Sequence, residues 1–176
     1  GRMPKVVASA VEAHDVATFL LRDVVVVPGG ELIRRKVYRG DWDRLPDMDS
    51  LTPTSTDKVD SLKIDDIDGN FAASFDAFLP IMEAGKYTFR LTSDDGARLL
   101  IDGKIVIDHD GIHPESEKKK QTKLDAGVHP IRVLYFEGGG QRALELTIES
   151  VSSGPATISS MVCATVAGTV KRLVPT

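Results

Sequence analysis

Asp94 and Asp95 stand side by side before Gly96, at the end of an alternating segment. Adjacent carboxylates on a tight turn normally splay apart and repel. They converge on one point only if the peptide between them is unusual, and a cis non-proline bond costs about 2.5–4 kcal/mol. A divalent cation would offset that cost by neutralising both charges. The plain alternative is that Asp94 caps a turn and Asp95 is solvated. Two other acidic loops compete for a hard cation such as calcium, which needs oxygen ligands gathered on loops. In Asp65–Asn70, aligning Gly69 with the glycine of an EF-hand loop puts Ile64 at the first ligand position and Phe75 at the last, so it fails. Aligning Gly111 brings Asp108, Asp110 and Glu117 into register but places Val106 first, with no flanking helices.

Other chemistries find less support. His109 and His113 have the four-residue spacing of a zinc helix, but Gly111 and Pro114 break any helix there. No G-x-S-x-G turn presents a nucleophilic serine. A glycosidase needs two carboxylates across a cleft, and among 26 acidic residues a chance pair is always available. Arg98, just after the turn, is placed to neutralise Asp94 or Asp95 without a metal. Trp42 and Tyr38 have rings that stack on sugar faces, although such residues more often close a sandwich edge. Asp108 and Asp110 are expected to bond their own turn backbone, and His129, before Pro130, to be structural.

The elements that must carry the Asp94–Asp95 turn have the period of β-structure. Tyr87, Phe89 and Leu91 alternate with polar neighbours, as do Leu144, Leu146 and Ile148. Arg98–Ile101 and Lys104–Asp108 flank Asp102-Gly103, which accepts the positive φ angles of a tight hairpin. Asp125-Ala126-Gly127 is a second turn leading into Ile131–Glu137. Phe71, Ala73, Phe75 and Ala77 form another strand, expected to stop at Pro80. Val11–Arg22 reads as a short helix or a strand, Val24–Val27 as a buried strand, and Asp41–Asp57 as a long surface loop of the kind usually functional or mobile. Short strands at roughly 10-residue spacing indicate an all-β antiparallel sandwich or barrel, with at most short helical segments.

The chain has 176 residues, a net charge of −4 and 41% hydrophobic residues, which fit one globular domain of the usual ~100–200 residues. At this length a core alone suffices without metal or disulfide, and Cys163 has no partner cysteine. No run approaches the ~18 apolar residues of a membrane span, no signal peptide is evident, and the acidic balance gives no footprint for nucleic acid. Lys118, Lys119 and Lys120 read as a solvated strand face.

Several ordered segments resemble one family. Gly85 to Lys104, then Val106 to His113, Leu124 to Gly140 and Leu144-Glu-Leu, with Tyr38 to Asp47 upstream, are similar to the PA-fourteen domain, named after a piece of anthrax protective antigen. The resemblance covers roughly Val37 to Glu149. It implies a PA-fourteen-like antiparallel β-sandwich over 37–150; outside it, residues 1–36 are expected to form an N-terminal flank that packs on the domain and 151–176 a C-terminal extension of strands. It also implies a module of secreted or surface proteins, including glycosidases, adhesins and toxins. In lectin-like members the paired aspartates are joined by a cis peptide and bind a calcium ion that coordinates sugar hydroxyls. Asp94 and Asp95 match that pair. The second ligand loop departs from the fungal adhesins, which use an Asn-type ligand, and offers Glu137, Gly138–Gly140 and Gln141.

The expectation is therefore a noncatalytic carbohydrate-binding or adhesion module of a larger exported protein, extracellular or at the cell surface. Its partner would be a glycan, not nucleic acid, and it would not insert in a membrane. Calcium would be held by Asp94, Asp95 and Gln141, and sugar contacted by Asp94, Asp95, Glu137, Gly139 and Gln141. The alternative is a structural or protein-interaction module with no small ligand.

Overall fold

In the computed structural model residues 33–150 and 156–157 are described, and all regular structure among them is β. The expectations for Val11–Arg22, Val24–Val27 and Cys163 lie outside these residues. The strands are β1 (Ile33–Arg39), β2 (Ser55–Val59), β3 (Phe71–Ile81), β4 (Gly85–Asp94), β5 (Ala97–Ile101), β6 (Lys104–His109), β7 (Ser116–Leu124), β8 (Gly127–Glu137), β9 (Ala143–Ser150) and β10 (Ala156–Thr157). They form a six-stranded sheet, ordered β2-β1-β3-β8-β5-β6, and a four-stranded sheet, ordered β10-β9-β4-β7. Every pairing is antiparallel. β1 crosses the boundary drawn at residue 37.

The core lies between the sheets. The alternation in β4 sends Tyr87, Phe89 and Leu91 inward, where they meet Leu146 and Ile148 of β9 and, from the other sheet, Phe71, Phe75, Leu99, Val133 and Tyr135. Each such side chain contributes about 1.5–3 kcal/mol on burial. A second cluster sits on the outer face of the six-stranded sheet, where the loop after β1 lays Met48, Trp42 and Leu45 over Tyr38, Ala72 and Phe136. This explains why Phe71–Phe75 are buried at every position. The strand is covered on both faces, so its pattern does not alternate cleanly.

Two local expectations are corrected. Pro80 does not end its strand, since it pairs with Val128 in the β3–β8 ladder. β1 pairs with β3 only as far as Asp76, so beyond that point β3 is bonded on one side and a missing N–H is tolerated. The loop read over Asp41–Asp57 gives way at Ser55 to β2, an edge strand whose residues are nearly all exposed. It is held by backbone bonds to β1, and leaves no hydrophobic period to read. The Asp102-Gly103 hairpin forms as expected, with φ of 52° and 73° and Ile101 facing Lys104.

Candidate functional site

β4 belongs to the four-stranded sheet and β5 to the six-stranded one, so Asp95 and Gly96 carry the chain from one layer to the other. The turn is made without a cis bond. All peptides among the described residues are trans, which corrects the cis link implied by the resemblance. Instead Asp95 takes φ of 46°, a left-handed conformation that aspartate tolerates better than most residues. Gly96 follows because nothing larger fits: a Cβ there would lie 2.4 Å from the Phe136 ring and 2.8 Å from the Gly111 nitrogen.

The turn is also buried, so Asp95 is not solvated as the plain alternative had it. Asp94 is 9% accessible and Asp95 2%. Two loops close over it. From the β6–β7 loop, the Glu115 amide donates to Asp94 Oδ2 (3.0 Å), and the Asp95 amide donates to the His113 carbonyl (3.4 Å). From the β8–β9 loop, the Gly138 amide donates to Asp95 Oδ2 (2.7 Å). These bonds use Oδ2 of each carboxylate and leave Oδ1 of each outside them. Behind the turn, the Tyr135 hydroxyl lies 2.6 Å from the Asp94 carbonyl and 2.7 Å from Glu137 Oε2, with one proton to give. Its pKa is pushed far above the ordinary phenol value, by burial first and then by the Glu137 hydrogen bond and the charges of Glu137, Asp95 and Asp94. Tyr135 therefore stays a donor.

Glu137 is completely buried, and its two oxygens accept from Tyr135 and from the Gly139 amide (2.9 Å). Its place is behind the glycine loop, holding it, with no surface offered to a ligand. Gly139 and Gly140 adopt φ of 126° and 113° and are exposed, as is Gln141. Arg142 anchors the far end of this loop. Its guanidinium donates to the Ile67 and Gly69 carbonyls, packs over Phe71 and lies 3.7 Å from Glu137 Oε2.

Arg98, the proposed internal counter-ion, turns away. It pairs with Asp108 at 3.1 Å and Asp110 at 3.5 Å. Asp110 also accepts from the Leu45 and Gly111 amides, tying the β1–β2 loop to the β6–β7 loop. Among the described residues no Lys, Arg or His forms an ion pair with Asp94 or Asp95. His109 and His113 stack at 3.9 Å rather than converging on a metal, and burial, then the charges of His113 and Lys118, lower the His109 pKa. His129 bonds Asp102 and the Asp125 carbonyl, a structural role. Trp42 lies in the outer cluster against Gly40. Asp108, Asp110 and His113 are sequence candidates for the rim of this turn, and what sequence reasoning missed is that the β6–β7 loop holds the turn through the Glu115 amide and the His113 carbonyl. Its contacts are backbone atoms, which carry no signature of residue type.

A hard cation fits this donor set in part. Among the described residues no three His, Cys, Asp or Glu side chains are gathered to hold a metal. The two aspartate Oδ1 atoms, glycine-loop carbonyls and water would have to make up the six to eight oxygens calcium takes. The donors are all hard oxygens, which matches calcium in kind.

Comparison with known proteins places the fold. The sequence profile described as PA14 domain matches residues 40–160, more than half of the chain. A search of curated proteins finds no match. Among solved structures, the chain is similar to a PA14 sugar-binding domain from an RTX adhesin, with TM-score 0.62 and 16% identity, covering 76% of this chain and 98% of that one. It is similar to the Epithelial Adhesin 9 A domain of Candida glabrata, in complex with Galβ1-3GlcNAc, with TM-score 0.53 and 10% identity, covering 73% and 85%. It also matches part of a β-glucosidase from Kluyveromyces marxianus, with TM-score 0.51 and 18% identity, covering 68% of this chain and 16% of the enzyme. At these identities the likeness is one of fold. The profile match carries the assignment: the chain belongs to the PA14 domain family.

Proposed function

We propose that this chain is a noncatalytic carbohydrate-binding module of a secreted or surface protein, and that it recognises sugar through calcium at the Asp94–Asp95 turn. The observation that carries this reading is electrostatic. Two carboxylates, 9% and 2% accessible, lie beside the buried Glu137, and among the described residues no basic side chain is paired to either. Burying charge without a partner is costly, and in proteins it is relieved by protonation, by an ion pair or by a metal. A bound calcium ion would supply the missing charge and open coordination positions for vicinal hydroxyls. The chain's own residues do the rest. Gly138 and Glu115 fix the two carboxylates through their amides, and Glu137 and Arg142 hold the glycine loop, of which Gly139, Gly140 and Gln141 are exposed; carbonyls of this loop and the Gln141 side chain would complete the coordination. The sugar-binding adhesin domains that share the fold support the ligand class and an extracellular setting.

One observation favours the second reading, a structural module without a small ligand. The same carboxylates staple two loops together, a sufficient role in itself. A glycan array probed with the chain in calcium and again in EDTA separates the two. Binding of specific neutral glycans that disappears in EDTA is the expected result, and an array blank under both conditions favours the structural reading.

A further inference from the structure

Among the described residues β7 is the outer strand of the four-stranded sheet, bonded only to β4. Its register puts Lys118 and Lys120 opposite the buried Leu91 and Phe89, on the face that should be apolar, yet both lysines are exposed. β6 of the six-stranded sheet reaches this edge through the Asp108 carbonyl, which accepts from Lys118, and still leaves both lysines exposed. On the other face Lys119 stands directly opposite Arg90, and Lys123 directly opposite Lys86. Like charges in direct cross-strand register destabilise a sheet. Arg90 is relieved by Glu117 and Glu149. Lys86, Lys119, Lys120 and Lys123 have no ion pair among the described residues, and Lys118 donates to the Asp108 carbonyl. Inward lysines are a known guard against edge-to-edge pairing, but that guard does not require Lys119, Lys123 and Lys86 on the opposite face. The result is a ribbon-like edge with exposed lysines on both faces, Lys118 and Lys120 about 7 Å apart along one and Lys119 and Lys123 about 14 Å apart along the other, on a chain whose net charge is −4.

We propose that this ribbon is a second binding surface, for an acidic polysaccharide bearing carboxylate or sulfate groups, separate from the Asp94–Asp95 turn. The class of ligand rests on the reading of the chain as a carbohydrate-binding module, and the residues choose the acidic kind. Lysines are mobile point charges that follow anions spaced along a chain, without the fork that fixes one carboxylate or phosphate bidentately. β7 carries no aromatic residue on which bases could stack, and no apolar face to enter a bilayer. Its affinity is predicted to fall linearly with the logarithm of salt concentration, as counter-ions are released from a polyanion.

The test uses the whole chain in EDTA, so that a failure of the calcium reading leaves it intact. Binding to heparin (sulfate), polygalacturonate (carboxylate), dextran and an oligo-dT strand is titrated at two salt concentrations. The triple variant Lys119→Gln, Lys120→Gln, Lys123→Gln is compared after its thermal melt shows it folded. The expected result is salt-sensitive binding to heparin or polygalacturonate, none to dextran, weaker binding to oligo-dT, and at least a tenfold loss in the variant with a shallower salt slope. No binding to either acidic polysaccharide at low salt, unchanged affinity in the variant, or oligo-dT bound as tightly as the polysaccharides would each overturn it.

Discussion

Gly96 is the tightest point of the candidate site. The Phe136 ring and the Gly111 backbone occupy the space a methyl group would need, and neither can swing clear without moving a strand or a loop. Gly96→Ala is therefore expected to lose about 1–3 kcal/mol, the usual cost of overpacking a closed core. A urea melt reads this as a lower midpoint, and an unchanged midpoint would show that the turn is looser than described. The neighbouring aspartates and the Gly138–Gly140 run are visible in the sequence as a pair and a triplet, because adjacency needs no folding. Their burial is not visible. It depends on Glu115 and Gly138, 21 and 43 positions away from the carboxylates they hold. The same distance hid the choice made by Arg98, which lies beside the turn in sequence but pairs with Asp108 across the β5–β6 ladder.

Among the elements, the β5–β6 hairpin is clamped to the start of β8 by His129, whose Nδ1 lies 2.8 Å from Asp102 Oδ2 and whose Nε2 lies 2.9 Å from the Asp125 carbonyl. Burial lowers the pKa of this imidazole, but the Asp125 carbonyl and the Asp102 carboxylate outweigh it, and the net shift is upward from 6.5. A raised histidine pKa means that folding favours the charged form. Its stabilisation is complete below 6.5 and is lost as pH rises through the folded value. His129→Asn should therefore cost up to about 1 kcal/mol at acid pH, the scale of a partly exposed ion pair, and less at alkaline pH. Urea melts of both proteins at pH 5.5 and pH 8.5 measure the gap, and an equal gap at both would show that the clamp is not ionic. The hairpin was legible because two consecutive positive φ angles are a local demand that Asp-Gly meets. β2 and the continuation of β3 through Pro80 were not, because both depend on which side of a strand is paired.

At the scale of the whole molecule, the sandwich follows from alternation in β4, β8 and β9, since each strand must bury one face and only a second sheet can cover it. The third layer, the β1–β2 loop over the outer face of the six-stranded sheet, had no such signal. Trp42, Leu45 and Met48 are scattered through a polar segment and meet their partners only after β1, β3 and β8 have paired. This architecture brings the β4–β5, β6–β7 and β8–β9 connections together around Asp94 and Asp95. Whether this meeting point takes a calcium ion, as proposed, is read by titration calorimetry with thermal melting of the wild type and Asp95→Asn. An asparagine oxygen can still accept from the Gly138 amide, so the variant keeps the loop contact while losing the charge. A 1:1 binding heat is expected for the wild type, with a melting temperature raised on the order of 5–10 °C at a hundredfold excess over Kd. Both effects should be reduced or absent in Asp95→Asn. No heat and no shift in the wild type at millimolar calcium would contradict the proposal.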